Sequence, residues 1–160
     1  MSSRRSAGIV RNRRVPPPAV AALLRRVARQ PWPALLDSSG GPNGLTTWSF
    51  WTFDPFQVLT HDGRTCRLVD RLGRTRAASD HPFAALRGEL GRLALPPSDS
   101  PAPLRAGAVG FLAYELGRHI ERLPCTVRDD IALPHMHWGF YDSVLAVDHR
   151  TNTAEVWACD

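Results

Sequence analysis

Lysine is missing altogether: all 20 basic residues of the 160-residue chain are arginine. Schiff-base chemistry and any lysine nucleophile or base are thereby excluded from it. Cysteine is scarce. Cys66, Cys125 and Cys159 are widely spaced and odd in number, which fits neither a disulfide framework nor a close metal knuckle, so ordinary reduced thiols are expected. No apolar run approaches the ~20 residues that span a bilayer. The opening MSSRRSAGIVRNRRV also lacks the unbroken apolar segment of a secretory signal. The expectation is a cytoplasmic protein without a membrane partner. Internal repeats are absent as well.

Acidic residues are missing from the first fourteen positions, which hold Arg4, Arg5, Arg11, Arg13 and Arg14. The remaining fifteen arginines balance the fifteen acids, so the net charge of +5 belongs to this leader. Five dispersed charges without interleaved aromatics make a poor nucleic-acid footprint. Residues 1–17 therefore read as a disordered, solvated Arg-rich leader, and nucleic acid is not an expected partner. A chain of this length with 43% apolar residues builds one core, so residues 18–160 are expected to form one domain.

Val20, Leu23, Leu24 and Val27 recur at helical spacing after the Pro16 to Pro18 break, predicting a short amphipathic helix that ends before Pro31. PALLDSS reads as a strand entering a loop at Gly40, Gly41, Pro42, Asn43 and Gly44, and Thr46 to Phe53 as a second strand. Gln57 to Thr60 and Thr65 to Val69 form a hairpin around His61-Asp62-Gly63, because Asp-Gly favours positive φ at such a turn. Ser79 or Asp80 is positioned to cap a helix with Pro82 in its first turn and Phe83, Leu86, Leu90 and Leu93 on one face. Leu95 to Ala106, with four prolines, reads as an exposed connection. Ala108 to Tyr114 and Met136 to Val147 read as long strands, the second central and covered on both faces. A turn at Asp148 to Thr153 leads into a last strand. The fold class is α+β, a large, mostly antiparallel sheet with few helices.

No residue set makes an independent case for catalysis. Gly107 and Gly110 lack the rest of a phosphate-loop fingerprint, and close strand packing accounts for them better. Gly117, Arg118 and Glu121 read as a turn with a surface ion pair. His135 and His137 would share a strand face but lack the third ligand that a catalytic zinc needs. Tyr114-Glu115 and Asp129-Asp130 have no spacing that fixes two facing carboxylates, and no nucleophile elbow is present. Catalytic, cofactor-binding and metal-ligating residues are thus all expected to be absent.

From Ala106 to His149 the order of glycines, aromatics, charges and prolines is distinctive: Gly107, Gly110, Phe111, Tyr114, Leu116 to Arg118, Glu121, Leu123, Pro124, Pro134, Tyr141, Asp142, Asp148 and His149. In this order the chain resembles the N-terminal domain of component I of the chorismate-utilising synthases. Within that family it is similar to the aminodeoxychorismate synthases, with Glu115 where an Asp is usual and Ala106 in place of one glycine of a pair. The resemblance implies the N-terminal half of the anthranilate synthase component I-like fold, and runs through nearly all of the chain after Pro17. The family's chorismate-binding half lies further downstream, so a truncated or split gene product is expected.

A complete relative, by this resemblance, takes chorismate, Mg²⁺ and ammonia from a glutamine amidotransferase subunit and makes 4-amino-4-deoxychorismate for 4-aminobenzoate and folate. This chain alone would hold no cofactor, and its partners would be the chorismate-binding catalytic half and the amidotransferase. Two segments resemble the family's tryptophan pocket: Leu35, Leu36, Asp37 and Ser38, and Thr47, Trp48 and Ser49. An amino-acid ligand needs an acceptor for its ammonium group, donors for its carboxylate and apolar walls. Asp37, Ser38, Trp48 and Ser49 are accordingly the candidates, with strand-end capping and core packing as the competing reading. Anthranilate synthase component I, a stand-alone amino-acid-binding module and an Arg-tail nucleic-acid binder are the alternative functions.

Overall fold

The computed structural model describes residues 11–15, 17–38, 47–93, 99–124 and 130–159, with side chains from residue 22 onward. Its strands are β1 (Arg11–Val15), β2 (Ala34–Leu36), β3 (Trp48–Thr52), β4 (Gln57–His61), β5 (Cys66–Asp70), β6 (Thr75–Ala77), β7 (Gly107–Leu112), β8 (Met136–Tyr141), β9 (Ser143–Asp148) and β10 (Thr153–Ala158). Two α-helices, α1 (Pro17–Val27) and α2 (Pro82–Leu90), and a 3-10 helix at Tyr114–His119 complete the described elements. All strand pairings are antiparallel. This is the expected α+β class, but the strands divide into two five-stranded sheets, ordered β1-β10-β9-β3-β2 and β6-β5-β4-β8-β7.

Local chemistry explains most of these elements. The β4–β5 hairpin turns where expected, with Gly63 at φ 92°. The Asp62 carboxylate closes the turn by accepting from the amides of Arg64 and Thr65. Those amides, Thr65 first, hold its pKa down to about 2. In the first sheet, Leu23, Leu24 and Val27 of α1 pack on Trp51, Leu145 and Ala154, as helical spacing requires. In the second sheet, α2 presents Pro82, Ala85, Leu86 and Glu89 inward, and Leu86 joins Leu59, Leu68, Met136 and Phe140 in the larger core.

Two details of α2 differ from expectation. His81 occupies the cap position without a side-chain cap bond, while the Ser79 hydroxyl accepts from the His81 amide instead. Leu90 is 42% exposed, and the inward position one residue earlier is taken by Glu89. A buried carboxylate is tolerable only when paired. Here Arg76 and Arg92 form ion pairs with it and the Gln57 amide donates to it.

The predicted strand over Met136 to Val147 is two strands. β8 lies between β4 and β7 in one sheet and β9 between β10 and β3 in the other, so the chain changes sheets at Asp142. No glycine or proline marks the change; tertiary contacts make it. Arg71 bridges Asp142 at 3.0 Å and Asp54 at 3.3 Å, the Thr52 hydroxyl donates to Ser143 O, and the Tyr141 hydroxyl donates to Trp32 O.

Four further expectations need correction. Within the stretch read as a disordered leader, Arg11–Val15 forms β1, paired with β10; residues 1–10 lie outside the described residues. The Leu95 to Ala106 connection is not simply exposed, since Ala102 and Ala106 are buried and Ala102 packs with Ala146 and Trp157. β7 ends at Leu112, leaving Tyr114 in the 3-10 helix, and Arg118 and Glu121 form no ion pair there. The glycine-rich loop at residues 40–44 and Asp129 lie outside the described residues, while Asp130 is exposed. Among the described residues no helix is long and apolar enough to cross a membrane.

Candidate functional site

β3 runs between β2 and β9, and Ser49 sits near its start with no exposed surface. Its hydroxyl is the centre of a polar corner. The Ser38 amide donates to Ser49 Oγ at 2.9 Å, Oγ donates to Asp37 Oδ1 at 2.9 Å, and His149 Nε2 lies 2.7 Å from the same oxygen. A hydroxyl has one proton. With that proton on Asp37, the short contact to His149 requires Nε2 to carry hydrogen and donate. His149 is held beside β3 by its own amide, which donates to Thr47 O at 2.8 Å.

This polarity decides what the corner can do. A serine nucleophile needs an imidazole that accepts its proton, whereas the Ser49 hydroxyl donates to a carboxylate and its imidazole neighbour donates to it. Nucleophilic catalysis by Ser49 is therefore disfavoured. What remains is recognition: Asp37 and His149 are solvent-exposed and Ser38 is half-buried around a fixed, buried hydroxyl. The exposed Asp37 carboxylate complements an ammonium group, whereas the Ser38 amide and the His149 Nε2–H are both committed to Ser49 Oγ.

Three of the four sequence candidates, Asp37, Ser38 and Ser49, are thus brought together. Trp48 is not. Adjacent strand residues point to opposite faces, and Trp48 stacks on Phe50 at 6.1 Å and packs beside Ala102, Ala146 and Trp157. Ser49 shares its face with Trp51 instead. Trp48 is core on the far side of the sheet and neither lines the corner nor fills it. His149 is the member that candidate selection missed. It stood in the sequence pattern as part of Asp148-His149, but its approach to Ser49 depends on the β3–β9 register, which pairs Trp48 with Asp148.

The other histidines divide differently from the expectation. His137 stacks between Trp32 at 4.8 Å and Phe111 at 6.0 Å, whereas His135 precedes β8 and faces His61. Burial lowers the pKa of His137. The two therefore do not converge on one point, and among the described residues no three His, Cys, Asp or Glu side chains are gathered to hold a metal ion. Gly110 adjoins no anion site: a Cβ there would lie 2.1 Å from His137 O and 2.7 Å from Trp138 Cα. Close strand packing requires this glycine.

No family model matches the chain. It is 32% identical over 132 residues to aminodeoxychorismate synthase component 1 of Escherichia coli, covering 82% of this chain and 29% of that protein. The corresponding protein of Salmonella typhimurium is 34% identical over 135 residues, covering 84% and 30%. Anthranilate synthase component 1 of Acetivibrio thermocellus is 31% identical over 115 residues, covering 72% and 23%. The chain spans less than a third of the length of these curated relatives. Among solved structures, anthranilate synthase component I of Streptococcus pneumoniae superposes with a TM-score of 0.54 at 20% identity, over 69% of this chain and 23% of that one. The fold is therefore that of part of an anthranilate synthase component I.

Proposed function

The chain is a homologue of component 1 of the aminodeoxychorismate and anthranilate synthases, and on that premise we propose that it is the N-terminal structural and regulatory part of an aminodeoxychorismate synthase component 1. The observation that carries this reading is the 32% and 34% identity to two aminodeoxychorismate synthase components over more than four-fifths of the chain. The complete enzyme would combine chorismate with ammonia delivered by a glutamine amidotransferase subunit, giving 4-amino-4-deoxychorismate in the cytoplasm. Its Mg²⁺ would be held by the chorismate-binding half.

In this reading the chain supplies two sheets and a surface for the catalytic half. The corner of Asp37, Ser38, Ser49 and His149 is the polar part of a tryptophan site in which Asp37 receives the ammonium group; the Ser38 amide and the His149 Nε2–H are spent on Ser49 Oγ, so the donors for the carboxylate come from the catalytic half. Anthranilate synthase component 1 is the second reading, supported by 31% identity to the Acetivibrio protein. Pure chain incubated with chorismate, ammonia and Mg²⁺ is expected to give no product. Turnover would overturn the proposed division of labour. Adding a separately produced catalytic half is expected to yield 4-amino-4-deoxychorismate, and anthranilate instead would transfer the chain to the second reading. Calorimetric titration with tryptophan tests the corner: saturable binding lost in Ser49→Ala supports it, and a flat titration of the complemented enzyme removes it.

A further inference from the structure

Four of the six histidines meet at one end of the β6-β5-β4-β8-β7 sheet, each from a different element. His61 ends β4 and is wholly buried, His81 caps α2, His119 ends the 3-10 helix, and His135 leads into β8. The His61 ring lies 5.2 Å from His119, edge-on, and 6.0 Å from His135, while His81 lies 5.5 Å from His119. Backbone bonds tie the junction together, because the His135 amide donates to His61 O and the Ala113 amide to His135 O. Gly63 is pressed against His135 so closely that a Cβ would lie 2.7 Å from the ring.

The chemistry of His61 selects a use for the cluster. Its Nδ1 accepts from the Gly63 amide at 3.2 Å, so Nε2 carries the proton of the neutral ring. Nε2 is buried without a partner. A protonated Nε2 is no metal ligand, which agrees with the absence of a three-ligand set among the described residues. Charging the ring would make Nδ1 a donor facing the Gly63 N–H and break that bond. Burial and the neighbouring imidazoles outweigh Asp62, which favours a charged His61. Asp62 is committed to the amides of Arg64 and Thr65 and lies 3.8 Å from Arg67. Asp80 and the buried Cys66 thiol are the other titratable neighbours. Among the described residues none of the four imidazoles pairs with a carboxylate.

We propose that His61, His81, His119 and His135 form an acid-sensitive latch, which in neutral form holds the Tyr114–His119 3-10 helix and the start of α2 against the end of β4 and opens when the cluster takes up protons. Opening would release the segment that Leu116 anchors in the core, whose flanks Tyr114 and Ile120 are 84% and 77% exposed. Burial first, then the neighbouring imidazoles, lowers the pKa of both His61 and His119 below the ordinary 6.5. The unfolded chain therefore binds more protons just below that value. Stability is complete above pH 6.5 and falls as pH drops from there toward the folded-state values.

The experiment is urea unfolding of the full chain between about pH 8 and about pH 5.5, a window in which histidine titrates and ordinary carboxylates stay ionised. The unfolding equilibrium constant should rise below pH 6.5, by up to about tenfold per pH unit for each extra proton bound on unfolding. The His81→Gln, His119→Gln double variant, at two exposed positions, should show a shallower rise. Proton NMR should find His61 and His119 titrating below 6.5 in the wild type. A flat profile, an unchanged slope in the double variant, or ordinary titration of both rings would each overturn the latch.

Discussion

Gly110→Ala is the sharpest perturbation of the β7–β8 contact. Gly110 pairs with Trp138, and an added Cβ would lie 2.1 Å from His137 O, 2.7 Å from Trp138 Cα and 2.8 Å from Trp138 Cδ2. Two of these atoms are backbone, so no rotamer change relieves the clash. The first contact falls more than an ångström short of ordinary van der Waals distance, and β7, an edge strand, has to move outward. Overpacking of this kind costs about 1–3 kcal/mol, offset by roughly 0.4–1 kcal/mol from the stiffer unfolded chain. A net loss of about 1 kcal/mol lowers a urea midpoint by on the order of 0.5 M. Gly88→Ala is the contrast, since nothing lies within 4 Å of its added Cβ in α2, and a helix interior gains about 0.5–1 kcal/mol from that change. Equal midpoints for the two variants would refute the close approach of β7 to β8.

Leu59 is fully buried at the centre of the larger core, so Leu59→Ala should cost about 2–5 kcal/mol in denaturant unfolding. The Glu89 carboxyl titrates below its ordinary 4.5, because hydrogen bonds from Gln57, Arg92 and Arg76 outweigh the opposing effect of burial. Its contribution is complete above pH 4.5 and lost as pH falls through the folded value, so Glu89→Gln should be less stable than wild type at neutral pH and flatten the acid limb; an unchanged limb would count against the ion cluster. Ser49→Ala leaves the Ser38 amide, Asp37 and His149 without their shared partner, and should cost about 1–3 kcal/mol, with the midpoint of unfolding as the readout.

What the sequence conveyed depended on whether its signal was local. The β4–β5 hairpin was legible because Asp62-Gly63 specifies its own turn through two side-chain-to-amide bonds, and α1 because its apolar spacing matches the face it buries. The break at Asp142 was invisible. Apolar residues lie on both sides of Asp142 and Ser143, and the contacts that mark the crossing come from Arg71, Thr52 and Trp32, all distant in sequence. β1 was missed for a similar reason: an arginine-rich segment has no apolar alternation, and its strand state is set by pairing with β10. In α2 the spacing of leucines pointed to Leu90, but the helix turns Glu89 inward because two arginines and a glutamine receive it.

The candidate corner shows the same division at the level of a site. Asp37 and Ser38 were found through resemblance and Ser49 with them, yet their geometry depends on β2 and β9 flanking β3. Trp48, drawn from the same short segment, was carried to the opposite face by the strand period of two. Its departure has a functional consequence. On the proposed reading the hydrogen-bonded corner is the polar half of a tryptophan site, whereas Trp48, the aromatic of the same segment, is committed to Phe50 and Trp157. Beside the corner, Leu35 and Leu36 are exposed on edge strand β2. Orientation without enclosure gives specificity at low affinity, because most of the binding free energy for an indole comes from apolar burial. Tryptophan affinity should therefore rise when a catalytic half covers this face, and by linkage tryptophan should strengthen the association of the two parts by the same factor. Equal tryptophan affinity in the free and the complemented chain would show that the second part contributes no wall.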